Sequence, residues 1–323
     1  MSILALLLIE TGASVETLNR IIATAPRRYK IYDIPKRNGG TRTIAHPARE
    51  LKTIQRIVLK HILDRLPVSD IASAYVKNRG ILFNARCHVG QPWLLKLDFR
   101  NFFHSIVPAD WDRAARHFEE LKDIQKDRLL LHRILFWGGA PKENRPTCLS
   151  IGAPTSPSVS NLVCSKLDQW MIEQATKRGL RVSRYADDIT LSGSNPQHLL
   201  AFENALKAIL ERNKGLKLEL NNDKRGLYGP GERKMVTGLI LTPDGNISIG
   251  RDRKREISSL IHRFGLGELD FEASLKIKGL LGFSISAEPD FFRAMVKKYG
   301  AEQIGAIQKL APDLETQAAD FDF

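Results

Sequence analysis

The sequence predicts an α+β fold, in which helices pack on antiparallel strands. Amphipathic helical segments are interspersed with short apolar strands along the chain. Within residues 181–191, a tight turn joins two strands directly, as an antiparallel pair allows. The chain has 323 residues, of which 43% are hydrophobic and 26% are charged. That is enough for a sizeable core shared by roughly two or three subdomains.

The first third of the chain predicts a helix, a hairpin and a second helix. Ser14 is placed to cap a helix that continues through Thr24. Strands at Tyr29–Ile34 and Thr41–Ile44 flank a Gly-rich turn and form the predicted hairpin. Arg49–Leu66 has apolar residues at helical spacing, with Lys and Arg on the other face.

The remaining elements alternate between short strands and longer helices. They are predicted as a strand at Leu94–Phe99, mostly helix at Ala109–Trp137, a loop at Gly138–Ile151, a helix at Ser158–Arg178, two strands within Arg181–Leu191, a helix at about Gln197–Arg212, strands near Lys234–Leu241 and Ile247–Ile249, and helices from Arg251 onward. The acidic tail from Pro312 is expected to be loose.

The chain is strongly basic, with 49 Lys and Arg residues against 36 Asp and Glu residues and a net charge of +13. A phosphate backbone is the commonest partner for such an excess, because each neutralised phosphate releases a counterion. A basic surface that serves solubility is the alternative. The charge therefore favours a nucleic-acid partner.

Nothing in the sequence indicates a membrane or an oxidising compartment. No apolar run approaches the roughly 20 residues that a membrane span needs. Cys87, Cys148 and Cys164 are scattered without CxxC spacing, so no disulfide framework or zinc site is expected. We expect a cytoplasmic protein with no membrane partner.

Three aspartates are placed to form a metal site. Asp98 ends an apolar strand, and Asp187 and Asp188 are adjacent on the predicted turn. Phosphoryl transfer to a growing strand uses two metal ions, and Mg²⁺ prefers hard oxygen ligands from carboxylates. The backbone carbonyl of Phe99 could add a fourth oxygen. Ordinary turn chemistry is the alternative for the Asp-Asp pair, because Asp favours turns.

The motifs resemble those of reverse transcriptases. Tyr185-Ala186-Asp187-Asp188 resembles the YxDD signature, Leu97–Phe103 resembles the motif with the first metal-binding aspartate, and Gly152–Pro157 resembles the loop at the template and nascent pair. Two further segments are similar to the NAxxH and VTG motifs of retron reverse transcriptases: Asn84–His88 and Val236–Leu239. The resemblance covers about residues 28–290.

The resemblance implies a right-hand polymerase with fingers, a palm of antiparallel sheet with helices, and a small helical thumb. We expect the N-terminal helix and fingers in residues 1–95. The palm is expected in residues 96–240, with a fingers insertion at approximately 105–150. The thumb and tail are expected in residues 241–323. The metal cofactor it implies is a pair of Mg²⁺ ions, with Mn²⁺ as a substitute.

For the incoming nucleotide, the resemblance implies several contacts. Phe103, five residues after Asp98, is the expected steric gate against a 2′-OH, and a core position is the alternative. Arg42 and Lys36 match fingers residues that hold the triphosphate, and a solvated basic hairpin is the alternative. Gly152 and Ala153 complete the expected nucleotide-binding set.

At Lys224 and Ile151, the resemblance leaves a question open about the role of the residue. Lys224 matches the lysine proposed to protonate pyrophosphate, a role that needs a lowered pKa, and a surface lysine is the alternative. The family usually has Gln before the first Gly of the Gly-Ala-Pro motif, whereas this chain has Ile151. A Gln there can hydrogen-bond the nucleotide, but Ile can only pack, which leaves fine nucleotide selectivity in doubt.

Contacts with RNA or DNA are expected in two regions. Asn84 and His88 are four residues apart and would share a helix face, either as RNA contacts or as scaffold. Tyr185, Thr237 and Gly238 are expected where the primer strand passes, by the same resemblance.

The second region is the predicted helix Arg253–Phe264. It has one apolar face and one polar face, which suits a thumb helix on a duplex backbone, and a solvated helix face is the alternative. Arg255, His262 and Arg263 are the residues expected to contact RNA there.

Membership of the retron family implies reverse transcription of a dedicated structured non-coding RNA, which is both template and primer. The product is branched msDNA, built from deoxynucleoside triphosphates. It also implies an effector partner and a role in defence against phage. Two alternatives remain: a reverse transcriptase of group II intron-like or diversity-generating lineage, and an RNA-binding scaffold in a toxin–antitoxin-like complex.

Overall fold

A computed structural model of the chain describes residues 2–35, 39–212 and 215–311. The predicted nucleotide contact Lys36 and the acidic tail from Pro312 lie outside these residues. The chain divides into two compact units, Met1–Gly80 with Trp93–Leu227 and Ile81–Pro92 with Tyr228–Phe323. The fingers, palm and thumb boundaries stay a prediction.

The fold is α+β, as the sequence predicts. Its α-helices are α1 (Ile3–Thr11), α2 (Val15–Ala23), α3 (Arg49–His61), α4 (Ile81–Arg86), α5 (Phe102–Ser105), α6 (Pro108–Ala115), α7 (Arg128–Leu135), α8 (Ser156–Lys177), α9 (Pro196–Arg212), α10 (Arg251–Gly265), α11 (Phe271–Ala287), α12 (Pro289–Tyr299) and α13 (Ala301–Lys309). Single 3₁₀ segments lie at Ala25–Arg27, Leu63–Arg65, Glu119–Asp127 and Asn222–Lys224. None of the described helices is long and apolar enough to cross a membrane.

The strands form three separate sheets. They are β1 (Tyr29–Pro35), β2 (Thr41–Pro47), β3 (Trp93–Arg100), β4 (Arg181–Tyr185), β5 (Asp188–Gly193), β6 (Glu219–Leu220), β7 (Gly226–Tyr228), β8 (Lys234–Val236), β9 (Leu239–Leu241) and β10 (Ile247–Ser248). β1 and β2 pair as a hairpin, and β8, β9 and β10 form a second sheet in the order β10-β9-β8. The largest sheet has the order β4-β5-β3-β6, and β7 also pairs with β3.

The N-terminal predictions are confirmed with small changes of boundary. The hydroxyl of Ser14 accepts a hydrogen bond from the backbone N–H of Thr17 at 3.2 Å, so it caps α2 as expected. The hairpin forms with Tyr29 opposite Pro47. The helix predicted to reach Leu66 ends at His61, and a 3₁₀ turn follows.

The largest sheet is built on buried apolar strands. In β3, Leu94, Leu95 and Leu97 are at most 3% exposed, which explains why this short segment is a central strand. The helix α8 contacts β4 as well as α6 and α9. Helices and strands of the first unit therefore share one hydrophobic core.

In the second unit, the helix α4 contacts β8 and β9. The hydroxyl of Thr237 donates to the carbonyl oxygen of Ile81 at 3.0 Å and ties the turn after β8 to the start of α4. The helix α10 has the predicted two faces, with Ile257 and Ile261 buried and Arg255 exposed. The shared helix face predicted for Asn84 and His88 is wrong, because α4 ends at Arg86 and His88 lies in the following turn.

Candidate active site

The register of β3 and β5 brings two of the predicted aspartates together. Asp98 lies directly opposite Asp188 in this antiparallel pair. The backbone N–H of Phe99 donates to the carbonyl oxygen of Asp187 at 3.0 Å. Leu97 and its buried partner on β5 pack next to the aspartates, so apolar packing across the pair supports this register. Packing of the strands therefore places the carboxylates.

The turn between β4 and β5 holds the adjacent aspartates. Tyr185 pairs with Asp188, which leaves Ala186 and Asp187 as the turn residues. Ala186 has a φ of 57°, the left-handed conformation that a tight hairpin turn demands. The Arg184 side chain donates through Nη1 to the carbonyl oxygen of Ala186 at 3.1 Å, and this buried hydrogen bond stabilises the turn.

A buried ion pair supports this turn, and the sequence analysis missed it. The Arg184 guanidinium donates through Nε and Nη2 to the two carboxylate oxygens of Asp168, each at 2.7 Å. Both side chains are 0% exposed. The sequence offered one sign of this pair, which was a charged residue within each of two buried elements: Asp168 in α8 and Arg184 in β4. Bidentate pairing explains how two charges are tolerated in the core.

Asp98 has partners from the segment after β6. The backbone N–H of Asn221 donates to the carbonyl oxygen of Asp98 at 2.7 Å. The Lys224 ammonium donates to Asp98 Oδ2 at 2.8 Å, and the Asp98 side chain is 4% exposed. The Asn221 amide lies 3.5 Å from Asp98 Oδ1. The sequence analysis placed Lys224 near pyrophosphate and did not foresee that Asp98 would be its partner.

The carboxylates repel one another in a largely buried site. Burial and the Asp187 carboxylate, together with Asp98, raise the pKa of Asp188 to about 7. Burial, with the charge of Asp98, also raises the pKa of Asp187. For Lys224, burial opposes the charged form, but its hydrogen bond to Asp98 and the charges of the nearby carboxylates outweigh burial and raise the pKa. A lysine that acts as a general acid requires a lowered pKa, whereas the pKa of Lys224 is raised. Proton donation from Lys224 to pyrophosphate therefore stays a prediction.

The donor set fits a magnesium site. Among the described residues, no three His, Cys, Asp or Glu side chains already stand together as a formed metal cluster. The available oxygens are nevertheless hard ligands, and the repulsion that remains among the carboxylates is the condition that divalent cations relieve. The ring of Phe99 is buried against Phe102, so a contribution from Phe99 can come only through its backbone carbonyl.

Phe103 lies in α5, five residues after Asp98. Its ring is half-buried and packs edge-on against Phe102, with ring centroids 5.4 Å apart. Its other neighbour is Tyr75, at a centroid distance of 6.4 Å. Tyr75 is 54% exposed and was not singled out from the sequence. Partial exposure is compatible with the predicted steric gate, which stays a prediction.

The Gly-Ala-Pro loop lies against the fingers hairpin. The carbonyl oxygen of Ile151 accepts from the N–H of Ala45 at 3.0 Å. A Cβ on Gly152, whose φ is 126°, would lie 3.0 Å from the carbonyl oxygen of Ala45, so only glycine allows this approach. Ala153 is buried, and Ile151 is half-buried where the family carries Gln. Arg42 is exposed on β2, and its positive charge partly offsets the rise in the pKa of Asp187.

The second unit contains the motifs that suggested the retron lineage. Asn84 and His88 are 1% and 0% exposed, so their burial favours the scaffold role over a direct contact with RNA. Thr237 and Gly238 form the turn between β8 and β9, with φ angles of 46° and 81°. Gly238 is exposed there, and its predicted contact with the primer strand stays a prediction.

The exposed face of α10 continues onto α12. An open cavity of about 690 Å³ is lined by Lys254, Arg255, Ser258, Ser259, His262, Phe291, Met295, Lys298 and Tyr299. The Tyr299 hydroxyl donates to the carbonyl oxygen of Ser258 at 2.8 Å. The sequence analysis named Arg255 and His262 but missed the residues of α12, which are brought close only by tertiary packing.

Comparison with known proteins identifies the class of enzyme. A family model described as reverse transcriptase (RNA-dependent DNA polymerase) matches residues 34–240. The chain is thus an RNA-directed DNA polymerase. The telomerase of Candida albicans, solved with a fragment of telomeric RNA, shares the fold at a TM-score of 0.52 and 12% sequence identity, over 91% of this chain and 68% of that one. This similarity confirms the right-hand polymerase fold.

The relatives identify the lineage. The chain is 37% identical to the Retron Ec83 reverse transcriptase of Escherichia coli over 282 residues, which cover 87% of this chain and 90% of that protein. It is 34% identical to the Retron Ec86 reverse transcriptase of Escherichia coli over 303 residues, covering 90% and 88% respectively. The chain belongs to the retron reverse transcriptases.

Proposed function

We propose that this chain copies a dedicated structured non-coding RNA into branched msDNA, and that the same RNA supplies the template and the primer. The observation that carries the proposal is the register that sets Asp98 opposite Asp188, beside Asp187. Extended similarity to two retron reverse transcriptases supports the retron product over that of another lineage.

In the proposed reaction, the 2′-OH of an internal guanosine attacks the α-phosphorus of a deoxynucleoside triphosphate. A 2′–5′ phosphodiester forms, the bond between the α and β phosphates breaks, and pyrophosphate leaves. Later additions proceed from the 3′-OH of the growing DNA. Two Mg²⁺ ions, when bound, activate the attacking hydroxyl and stabilise the leaving pyrophosphate.

The residues of the chain would bind and orient the reactants. Asp98, Asp187, Asp188 and the backbone carbonyl of Phe99 would hold the metal ions, and Mn²⁺ would substitute for Mg²⁺. Lys224, already at Asp98 Oδ2, would release that oxygen to a cation and be free to approach the leaving group.

The remaining contacts would fall on the nucleotide and on the nucleic acid. Arg42 would neutralise the triphosphate, because an exposed cation within electrostatic range of Asp187 suits that role. Lys36, outside the described residues, is proposed to assist it. Phe103 would exclude the 2′-OH of a ribonucleotide, and Gly152 with Ala153 would form the floor under the nascent pair. Tyr185 and the Thr237–Gly238 turn would contact the primer strand.

A retron RNA, an effector protein and a role in defence against phage complete the proposal. The net charge of +13 supports RNA binding, and the effector and the defence role follow from membership of the retron family. Cells that carry the gene with its flanking DNA should survive phage infection better than cells that carry the Asp187→Asn, Asp188→Asn variant.

The decisive experiment supplies the purified protein with Mg²⁺, the four deoxynucleotides and RNA transcribed from the DNA that flanks the gene. We expect DNA joined to RNA through a branch, which a debranching enzyme converts to linear DNA. Linear extension alone, from an annealed 3′ end, would support another reverse transcriptase lineage. RNA binding without any synthesis would support the scaffold alternative. Replacing the branching guanosine by its 2′-deoxy form is the matched control.

A further inference from the structure

Tyr75 stands out among the residues that the proposed mechanism does not use. Its side chain is 54% exposed although it belongs to a segment whose preceding residues, Ile71 to Ala74, are at most 8% exposed. Its φ is 62°, a left-handed conformation that a bulky residue rarely adopts. A strained, exposed aromatic residue next to a catalytic centre is a sign of a binding role.

The strain is maintained by contacts of the residues that directly precede Tyr75. The backbone N–H of Ser73 donates to the carbonyl oxygen of Arg184 at 2.8 Å, and Ala72 forms a parallel bridge with the same residue. The Asn161 amide donates to the carbonyl oxygen of Ala74 at 3.1 Å. These contacts leave the backbone at Tyr75 little freedom to relax.

The same residue, Arg184, fixes the catalytic turn. Its guanidinium donates to the carbonyl oxygen of Ala186 and is itself clamped by Asp168. The segment before Tyr75 is therefore anchored to the backbone of the residue whose side chain supports the turn of Asp187 and Asp188. A residue with no role at the site would not need to be anchored to the arginine that supports the turn.

The surroundings of the Tyr75 ring are those of a nucleotide pocket. Its centroid lies 6.4 Å from that of Phe103, with the rings inclined at 59°. Burial raises the pKa of the Tyr75 phenol, as do the charges of Asp187 and Tyr185, whereas Arg42 lowers it. The phenol therefore lies within electrostatic range of a proposed metal ligand and a proposed triphosphate contact.

We propose that Tyr75 is a nucleotide-positioning residue, whose ring forms with Phe103 the wall that receives the sugar and base of the incoming deoxynucleoside triphosphate. The proposal rests on the assignment of Asp98, Asp187 and Asp188 to catalysis. It explains the exposure of the ring, since an aromatic face that binds a nucleotide must be open before the nucleotide arrives. A core role would instead bury the ring.

The test measures single-nucleotide addition to a DNA primer annealed on RNA, with Tyr75 replaced in three ways. Tyr75→Gly and Tyr75→Asn both accept a positive φ, so they remove the ring without adding backbone strain. Both should raise the KM for the deoxynucleotide about tenfold and leave kcat nearly unchanged, because a stacking contact made before the chemical step is lost. Tyr75→Phe should keep the wild-type KM.

The controls distinguish failure of this proposal from failure of the catalytic assignment on which it rests. Phe271→Ala removes an aromatic side chain of similar exposure, 47%, from the second unit and should leave KM unchanged. An unchanged KM in Tyr75→Gly and Tyr75→Asn, with thermal melts like that of the wild type, would overturn the proposal. In that case, a changed ribonucleotide preference in Phe103→Ala would show that the pocket itself is correctly placed. Continued synthesis by Asp187→Asn with Asp188→Asn would overturn the catalytic assignment instead.

Discussion

The strand ends that carry the three aspartates of the candidate site and the polar face of α10 place their charges in opposite ways. Asp98 is 3% exposed and is held by strand register, by Lys224 and by the backbone of Asn221. Arg255 and His262 are exposed on a helix and project into an open cavity. The first arrangement fixes each charge in one position, whereas the second leaves long side chains free to adapt.

The difference shows what each surface can do. Metal binding and phosphoryl transfer depend on oxygens held in a narrow range of positions, so the supporting core matters as much as the carboxylates. Binding of an RNA backbone sums many weak contacts, and the loss of one changes little. Substitutions should therefore have large effects in the first region and graded effects in the second.

The largest expected effect comes from neutralising the turn. Asp187→Asn with Asp188→Asn should lower the rate of DNA synthesis by at least about 1,000-fold, because metal affinity depends on carboxylate charge. Binding of RNA should persist, since it rests on dispersed Lys and Arg residues. Primer extension and a binding titration measure the two properties on the same preparation. Synthesis at the wild-type rate would remove the central assignment.

The next effect tests the support beneath the turn. Asp168→Ala leaves the Arg184 guanidinium buried without its carboxylate, and we expect a loss of about 3–5 kcal/mol in the free energy of unfolding. Denaturant unfolding of the full-length protein measures this loss. The double variant Asp168→Leu with Arg184→Met should lose much less, because no charge is left unpaired.

An exposed ion pair supplies the matched control for this experiment. The Nζ atom of Lys276 and the Oε1 atom of Glu256 lie 2.6 Å apart, and the two side chains are 59% and 42% exposed. Lys276→Ala should cost less than about 1 kcal/mol, because water screens the pair. Equal losses for Asp168→Ala and Lys276→Ala would mean that the buried pair has no special structural role.

The smallest effect should come from the polar face of α10. Arg255→Ala with Arg263→Ala should weaken binding of the cognate RNA about tenfold at near-physiological salt, and weaken an unrelated hairpin of equal length less. A competition titration measures both, with folding checked by thermal melt. Equal weakening of both RNAs would show that this face contributes only charge.

Much of the architecture was predictable because it follows local rules. A short apolar run that ends at an aspartate located β3, the Asp-Asp turn located the hairpin of β4 and β5, and Ser14 located the start of α2. These features depend on residues close together in the sequence. The meeting of Asp98 with Asp188 was also foreseen, because two apolar strands that end in carboxylates have few ways to pair.

The missed features depend on distant residues. Nothing local indicates that Arg184 will meet Asp168, or that Ser73 and Ala74 will be anchored so that Tyr75 projects outward. The predicted helix through His88 failed because four-residue spacing alone does not show that the helix stops at Arg86. Tertiary contacts decide such cases, and spacing in one sequence does not contain them.

The pairing of Arg184 with Asp168 has a consequence for the genetics of this enzyme. Asp168 lies in the middle of α8, is wholly buried and belongs to none of the recognised motifs. It nevertheless holds the Arg184 guanidinium that supports the turn of Asp187 and Asp188, and the backbone of the same arginine anchors the segment that carries Tyr75. Loss-of-function alleles from random mutagenesis should accordingly recur at this codon, and efforts to broaden nucleotide choice should leave it unchanged.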